Sequence, residues 1–433
     1  MSAAEPELPQ PTVRSLVLLS IPAVVIGVVS GLALWAVDEL AALIERGVWT
    51  SLPAALGVDP SSGWWIAIVL TVTGLAVGLA VQLLPGHAGP DSATTELVST
   101  PLRVGVLPSL AVATVLGLAG GVSLGPENPI IAINASLLAA LVGRLWKAVP
   151  TRLVVLMAAS GTIGALFGTP VAAALVFTGI VAAVRGGGAL WDKLFVPLVS
   201  AAAGSLTMTA LAHPSFAIPM PAYTHVTGWD VLSALIIGSV ATGIGLLAAL
   251  VFPAVHRTFH AVRFPVLMTL AGGLALGLLG AIGGPITLFK GLSQMSQLVQ
   301  NRADYTVPAL LLIVVVKLIA LLVAAGSGFR GGRVFPAVFI GAAVGTLASA
   351  LVPAVPVPVA VAAGVMGMTL AVTRDGWIAI FIGVAVTQNL LILPILCLAV
   401  LPTWLMVTKA PVFLISPAAL KPTSPRGAGG AAR

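Results

Sequence analysis

Apolar stretches of helical length follow one another along almost the whole chain, beginning near Leu16, Trp64, Gly105, Ile130, Leu153, Val171, Leu194, Val231, Val266, Leu310, Ala337, Val357, Ile378 and Leu390. A helix needs about 20 apolar residues to cross a ~30 Å hydrocarbon core, and a succession of such runs folds as a polytopic membrane protein. Several runs, 130–142 and 171–184 among them, are too short to cross, and glycines and prolines interrupt others. Helices that stop at membrane depth are tolerated where their freed backbone lines a protein-buried cavity. The expected fold is an all-α polytopic body with broken and re-entrant helices, the architecture of transporters and channels.

Of the 433 residues 59% are hydrophobic and only 8% are charged, against about 25% charged in soluble domains, which excludes an ordinary soluble protein. The excess of 20 Lys+Arg over 13 Asp+Glu reads as the basic bias of short loops that orients membrane proteins, rather than as a nucleic-acid surface. Trp64, Trp65 and Trp229 stand at segment edges as interfacial anchors. One cysteine, Cys397, inside an apolar run rules out a disulfide framework and a Cys-based zinc site; no cofactor or metal is expected. Residues 1–13 lack the basic start and apolar core of a signal peptide and read as a disordered tail, as do residues 416–433, where no appended regulatory domain fits. Arg14 at one end and Lys421, Arg426 and Arg433 at the other place both termini in the cytoplasm. The Ala/Gly/Val-rich, Arg-over-Lys composition suggests a bacterial plasma membrane.

The chain repeats itself. Gly121, Gly125 and Pro129 in GVSLGPENP match Gly328, Gly332 and Pro336 in GFRGGRVFP at a constant offset of 207 (121 to 328, 125 to 332, 129 to 336). Gly74-Leu-Ala-Val-Gly78-Leu recurs as Gly273-Leu-Ala-Leu-Gly277-Leu, offset 199 (74 to 273). Two related halves follow, 14–211 and 229–415, joined by the polar, Pro-rich linker 212–228. Repeats of this kind, in inverted topology, place a substrate site at the midplane between halves, built from broken helices.

Gly125-Pro126-Glu127-Asn128-Pro129 reads as a helix start, because proline is favoured in a first turn and glycine permits close backbone approach. A helix N-terminus presents unpaired N–H groups and about half a positive charge, which suits an anion. The stretch Gly331-Gly332-Arg333-Val334-Phe335-Pro336 offers the same arrangement in the second half. Pro126 has no N–H, so the first loop has one donor fewer. Glu127 is a carboxylate at membrane depth, costly by ~3 kcal/mol and functional by default. At a helix N-terminus it either fills the anion site, leaving when protonated or displaced, or caps the helix toward a water-filled vestibule.

These residues resemble the CLC family of chloride channels and chloride/proton antiporters. Gly125-Pro-Glu-Asn-Pro129 resembles the family's G-R/K-E-G-P motif, with Glu127 on the gating glutamate. Gly326-Ser-Gly-Phe-Arg-Gly-Gly-Arg-Val-Phe-Pro336 resembles G-S-G-x-x-G-G-x-F-x-P, preceded by the membrane lysine Lys317. Thr169-Pro170-Val-Ala-Ala resembles N-A-P-L-A-G, and Val386-Thr-Gln-Asn-Leu-Leu-Ile-Leu-Pro394 resembles M-T-x-x-x-x-L-L-P. The resemblance runs in family order over nearly the whole membrane body. It implies a homodimer with one anion pathway per subunit, lined by backbone N–H groups of Glu127, Asn128, Arg333 and Val334 and gated by Glu127.

The departures from the family pattern bear on mechanism. The G-S-G-I-P motif corresponds to Gly86-His-Ala-Gly-Pro90, which puts His87 where a serine hydroxyl meets the central anion; His87 either donates there or packs in a loop. The family's late tyrosine falls on Phe413, which keeps the ring and loses the hydroxyl. The inward-side glutamate of proton-coupled members falls on Ile180, which cannot relay a proton, with Asp192 or a water chain as substitutes. Arg333 replaces an apolar residue and either raises anion affinity, pairs with Glu127, or neutralises a nearby carboxylate. Lys317 either attracts anions or satisfies helix-end carbonyls.

Gly121-Val-Ser123-Leu-Gly125 also matches the G-x-S-x-G elbow of serine hydrolases, but a chance match in a chain with 47 glycines is the better account, and no enzyme is expected. The function expected is transport of a small inorganic anion, chloride by default, as a CLC-type channel. The alternative is a proton-coupled antiporter using the same residues, and the distant one an intramembrane serine hydrolase.

Overall fold

The computed structural model describes residues 12–98, 100–146, 149–182, 188–213 and 216–415. Most of the two expected tails, with Lys421, Arg426 and Arg433, lies outside the described residues. Thr12 caps the first helix in a capping box with Ser15. The helices are α1 (Val13–Arg46), α2 (Leu52–Leu56), α3 (Gly63–Leu83), α4 (Leu107–Ala119), α5 (Glu127–Leu145), α6 (Thr151–Phe167), α7 (Pro170–Ala182) and α8 (Leu190–Ala212). The second half continues with α9 (Gly228–His260), α10 (Pro265–Gly283), α11 (Leu292–Gln300), α12 (Val307–Gly326), α13 (Val334–Leu351), α14 (Val357–Thr373), α15 (Gly376–Thr387) and α16 (Leu393–Val407). Among the described residues nine helices are long and apolar enough to cross a membrane. Others are not: α15 has 12 residues, about 18 Å at 1.5 Å per residue, and stops short of a full crossing.

The two halves repeat one order of elements. Helices α5, α6 and α7 begin at 127, 151 and 170, and α13, α14 and α15 at 334, 357 and 376, offsets of 207, 206 and 206. Gly121 and Gly328, matched at offset 207, share the left-handed conformation at φ +89° and +85°, where a Cβ would be strained. The second glycine pair explains how the halves meet. A Cβ at Gly74 of α3 would stand 2.3 Å from the Thr269 carbonyl oxygen of α10, and one at Gly273 of α10 would stand 2.4 Å from the Leu70 carbonyl oxygen of α3. Only glycine lets the two backbones approach so closely, which is how small residues associate helices where no hydrophobic driving force separates helix from lipid.

The repeated elements α13 and α14 form the centre. Every residue from Val334 to Thr346 and from Pro358 to Val372 is buried, so these helices are apolar on all sides and carry no amphipathic stripe. Between α8 and α9 the described part of the linker, Phe216 to Thr227, has no helix. It lies over the core, where Phe216 stacks on Phe335 with ring centroids 5.6 Å apart and on Phe167 at 5.1 Å.

Candidate functional site: two helix N-termini and a seated carboxylate

The N-termini of α5 and α13 meet where the sequence repeat places its glycines. Gly125 N–H donates to the Gly332 carbonyl at 2.9 Å, and Gly332 N–H donates back to the Gly125 carbonyl at 2.7 Å. Residue and repeat counterpart thus form an antiparallel bridge with each other, which puts a local two-fold axis between the helix starts. Pro126 and Arg333 are the respective N-cap residues. This brings the positive ends of two helix dipoles to one buried point.

Glu127 crosses from one helix to the other. Its Oε1 accepts from Val334 N–H at 2.7 Å and Phe335 N–H at 3.3 Å, so the carboxylate occupies the N-terminus of α13 as a bound anion would. Its Oε2 is buried without a hydrogen-bond partner, leaving one carboxylate oxygen free to take a proton. Glycine makes the seat possible. A Cβ at Gly332 would lie 2.0 Å from Glu127 Cδ, and one at Gly125 would lie 2.0 Å from Glu127 Oε2. Phe335, stacked on Phe216, lies against the same place, and Glu127 is 2% exposed.

A cavity of about 480 Å³ opens beside this seat, with Asn128, Arg333, Val334 and Phe413 on its wall. Arg333 donates to the carbonyls of Phe413 and Thr95, and its guanidinium lies over the Phe413 ring, 5.5 Å from the centroid. No ion pair joins it to Glu127 among the described residues. It therefore holds positive charge on the cavity wall. Asn128 Nδ2 also donates to Thr95 O, at 3.1 Å. Phe413 is fully buried and stacks on Phe252 with centroids 4.4 Å apart. Ile180 lines the same cavity, together with the carboxylates Glu96 and Asp375. Burial pushes the Asp375 carboxyl up, against the N–H groups of Ile378 and Trp377 that donate to it.

Other residues singled out from sequence lie elsewhere. His87 is exposed at φ +52°, its Nδ1 2.9 Å from the Val81 carbonyl at the end of α3, and it does not line the cavity. The serine of that loop that approaches the anion motif is Ser92: its hydroxyl donates to Phe329 O at 2.7 Å and accepts from Gly331 N–H at 2.9 Å. Asp192 caps α8, accepting from Ala189 N–H. Ser123 Oγ is buried with no hydrogen-bond partner, and so has no base to activate it.

Lys317 resolves into a structural role. Its Nζ, fully buried, donates to the carbonyls of Thr287, Leu288 and Phe289 at 2.9, 2.9 and 2.7 Å and sits over the Phe339 ring. All three ammonium donors are used. Lys317→Met is expected to strand these carbonyls and destabilise the protein by about 3 kcal/mol, read as a lower Tm in detergent, while the folded fraction keeps its anion selectivity.

Residues 73–407 match the family described as voltage gated chloride channel. The chain is 45% identical over 408 residues to a protein of Escherichia fergusonii named "Putative ion-transport protein YfeO", covering 94% of this chain and 97% of the relative. In fold it is similar to a slow cyanobacterial Cl−/H+ antiporter, with TM-score 0.75 and 18% identity over 90% of this chain and 94% of that one. A CLC-type fluoride/proton antiporter is similar with TM-score 0.70 and 19% identity, over 93% and 98% of the two chains. With helices broken at a shared centre, a match over most of its length and relatives named for ion transport, the chain belongs to the voltage gated chloride channel (CLC) family.

Proposed function

We propose that the protein carries small inorganic anions, chloride by default, across a bacterial plasma membrane along a pathway gated by Glu127. One observation carries this reading: the Glu127 carboxylate takes two N–H groups of the α13 terminus and leaves its second oxygen bare. An anion arriving there must displace the carboxylate, and a proton on the carboxylate releases it. Gate and proton carrier are then one group. The pathway is complete within one subunit, and the working assembly is a homodimer with both termini in the cytoplasm.

Proton-coupled exchange is the mode this site favours, and the solved proteins of similar fold are named antiporters. In this mode Glu96 and Asp375 on the cavity wall serve in place of a carboxylate at position 180. A Glu96→Gln/Asp375→Asn variant is expected to slow proton movement on the order of tenfold with chloride affinity unchanged, measured as proton flux and chloride binding side by side. One observation favours passive conduction instead: Ile180 lines the cavity and cannot carry a proton.

The test is chloride efflux from liposomes with external pH recorded together. Uphill proton movement driven by a chloride gradient is the expected result. Chloride movement without it assigns the channel mode, and absence of any anion flux overturns the proposal.

A further inference from the structure

Away from the anion pathway, two histidines and an aspartate converge across 165 residues of sequence. His256 and His260 are four residues apart near the C-terminus of α9 and so share a face. Asp91 comes from the loop between α3 and α4. Asp91 Oδ2 lies 3.0 Å from His260 Nε2 and 3.6 Å from His256 Nε2, and one ligand atom from each of the three residues lies within 4.8 Å of the others. The edge of a tetrahedron of zinc ligands at their usual bond lengths is about 3.3 Å.

The hydrogen bonds around the cluster turn one atom of each residue inward. Asp91 Oδ1 is occupied by the N–H groups of Ala93 and Thr94, which turns Oδ2 toward the histidines. His260 Nδ1 lies 3.0 Å from the His256 carbonyl oxygen, which can only accept, so Nδ1 carries hydrogen, and Nε2, 3.0 Å from Asp91 Oδ2, either donates to that carboxylate or gives up its proton to a metal ion. A ring nitrogen held by a backbone carbonyl is the outer-shell arrangement that orients metal-binding histidine. His256 is 2% exposed, and its Nε2, aimed at the same point, has no hydrogen-bond partner. The two rings stack with centroids 3.7 Å apart.

The unpartnered Nε2 of His256, facing a carboxylate, leaves a place for a cation between them. A proton on His260 would satisfy its contact with Asp91 and still leave His256 Nε2 unpartnered. A metal ion serves all three atoms. The neighbouring cation, Arg330, does not fill this role: it donates to the carbonyls of His87, Ala88, Gly89 and Gly328, and no ion pair joins it to Asp91 among the described residues. The His260 side chain is 30% exposed, which gives an ion a way in.

We propose that Asp91, His256 and His260 bind one divalent transition-metal ion, zinc by ligand type, with solvent completing the coordination. The ion would tie α9 to the loop whose next residue, Ser92, bonds to the anion motif at Phe329 and Gly331. This inference stands apart from the transport mode.

The experiment uses the full chain in detergent, stripped with chelator and titrated with Zn2+ by calorimetry and with Co2+ by visible absorption. One zinc per chain is expected, with a rise in Tm on zinc addition and a Co2+ d–d spectrum of low coordination number. Asp91→Asn keeps the Oδ1 contacts and removes the anionic ligand, and His256→Gln removes a nitrogen. Each should weaken zinc binding roughly tenfold or more and abolish the Tm rise. Equal zinc binding by wild type and by the Asp91→Asn/His256→Gln variant would mark the ion as adventitious and overturn the proposal. So would an absence of zinc binding by the wild-type protein.

Discussion

Glu127→Ala is expected to raise chloride flux at neutral pH and to remove its dependence on pH, with proton movement lost altogether. The carboxylate is held by two charge-assisted hydrogen bonds at the α13 terminus, each worth about 1.5–3 kcal/mol where donor or acceptor is charged. An anion entering the wild-type site must offset that holding energy. Removing it by only a part, about 1.4 kcal/mol, corresponds to tenfold, so a rise on the order of tenfold or more in efflux is the expected scale. Acidification should accelerate wild-type flux toward that of the variant, because a protonated Glu127 gives up its seat. Glu127→Gln keeps the volume and removes the charge, and should likewise lose the pH response. If Glu127→Gln leaves both rate and pH response at wild-type values, Glu127 is a helix cap and no gate.

Gly332→Ala should do the opposite through the same seat. The added methyl would stand 2.0 Å from Glu127 Cδ, 2.3 Å from Cγ and 2.3 Å from Oε1. A glutamate side chain can swing away from it, and the Gly125–Gly332 backbone bridge needs no change. The methyl then fills the position that carboxylate and anion share. Flux is expected to fall on the order of a hundredfold, a loss of about 2.7 kcal/mol in binding at the seat, with the protein still folded by size-exclusion chromatography. Glu127→Ala/Gly332→Ala should remain slow, since emptying the seat of its carboxylate does not empty it of the methyl. A fast double variant would show that anions pass by another route.

What sequence could and could not convey follows from the physics of each element. The membrane architecture was legible because apolar runs too short to span a bilayer demand partners inside it. The constant offset of 207 carried more than a duplication, since Gly125 and Gly332 proved to bridge to each other and Gly121 and Gly328 to share one backbone conformation. Residues 334–346 of α13 and 358–372 of α14 are buried on every side, so hydrophobic periodicity could not orient them.

Side-chain destinations were harder to read. A histidine at the serine position of a motif looked like an anion ligand, yet a left-handed turn at 87 sends its ring back to α3. Ser92, five residues on, reaches the anion motif, and only the spacing of the loop in space selects it. Lys317 was legible as costly and in need of partners, but not that those partners would be three successive carbonyls. The second N–H on Glu127, from Phe335, is simply the next donor in the first turn of α13. The His256 and His260 pair shows helical ligand spacing, while the aspartate that meets it lies 165 residues earlier, in the other half of the chain.

The most direct measurement of the shared seat is the anomalous diffraction of bromide in crystals of the wild-type protein and of Glu127→Gln. The account predicts bromide against the N–H groups of Val334 and Phe335 in the variant, and the Glu127 carboxylate there, without bromide, in the wild type at neutral pH. Bromide absent from that position in the variant, or present in the wild type with the carboxylate still seated, would contradict it.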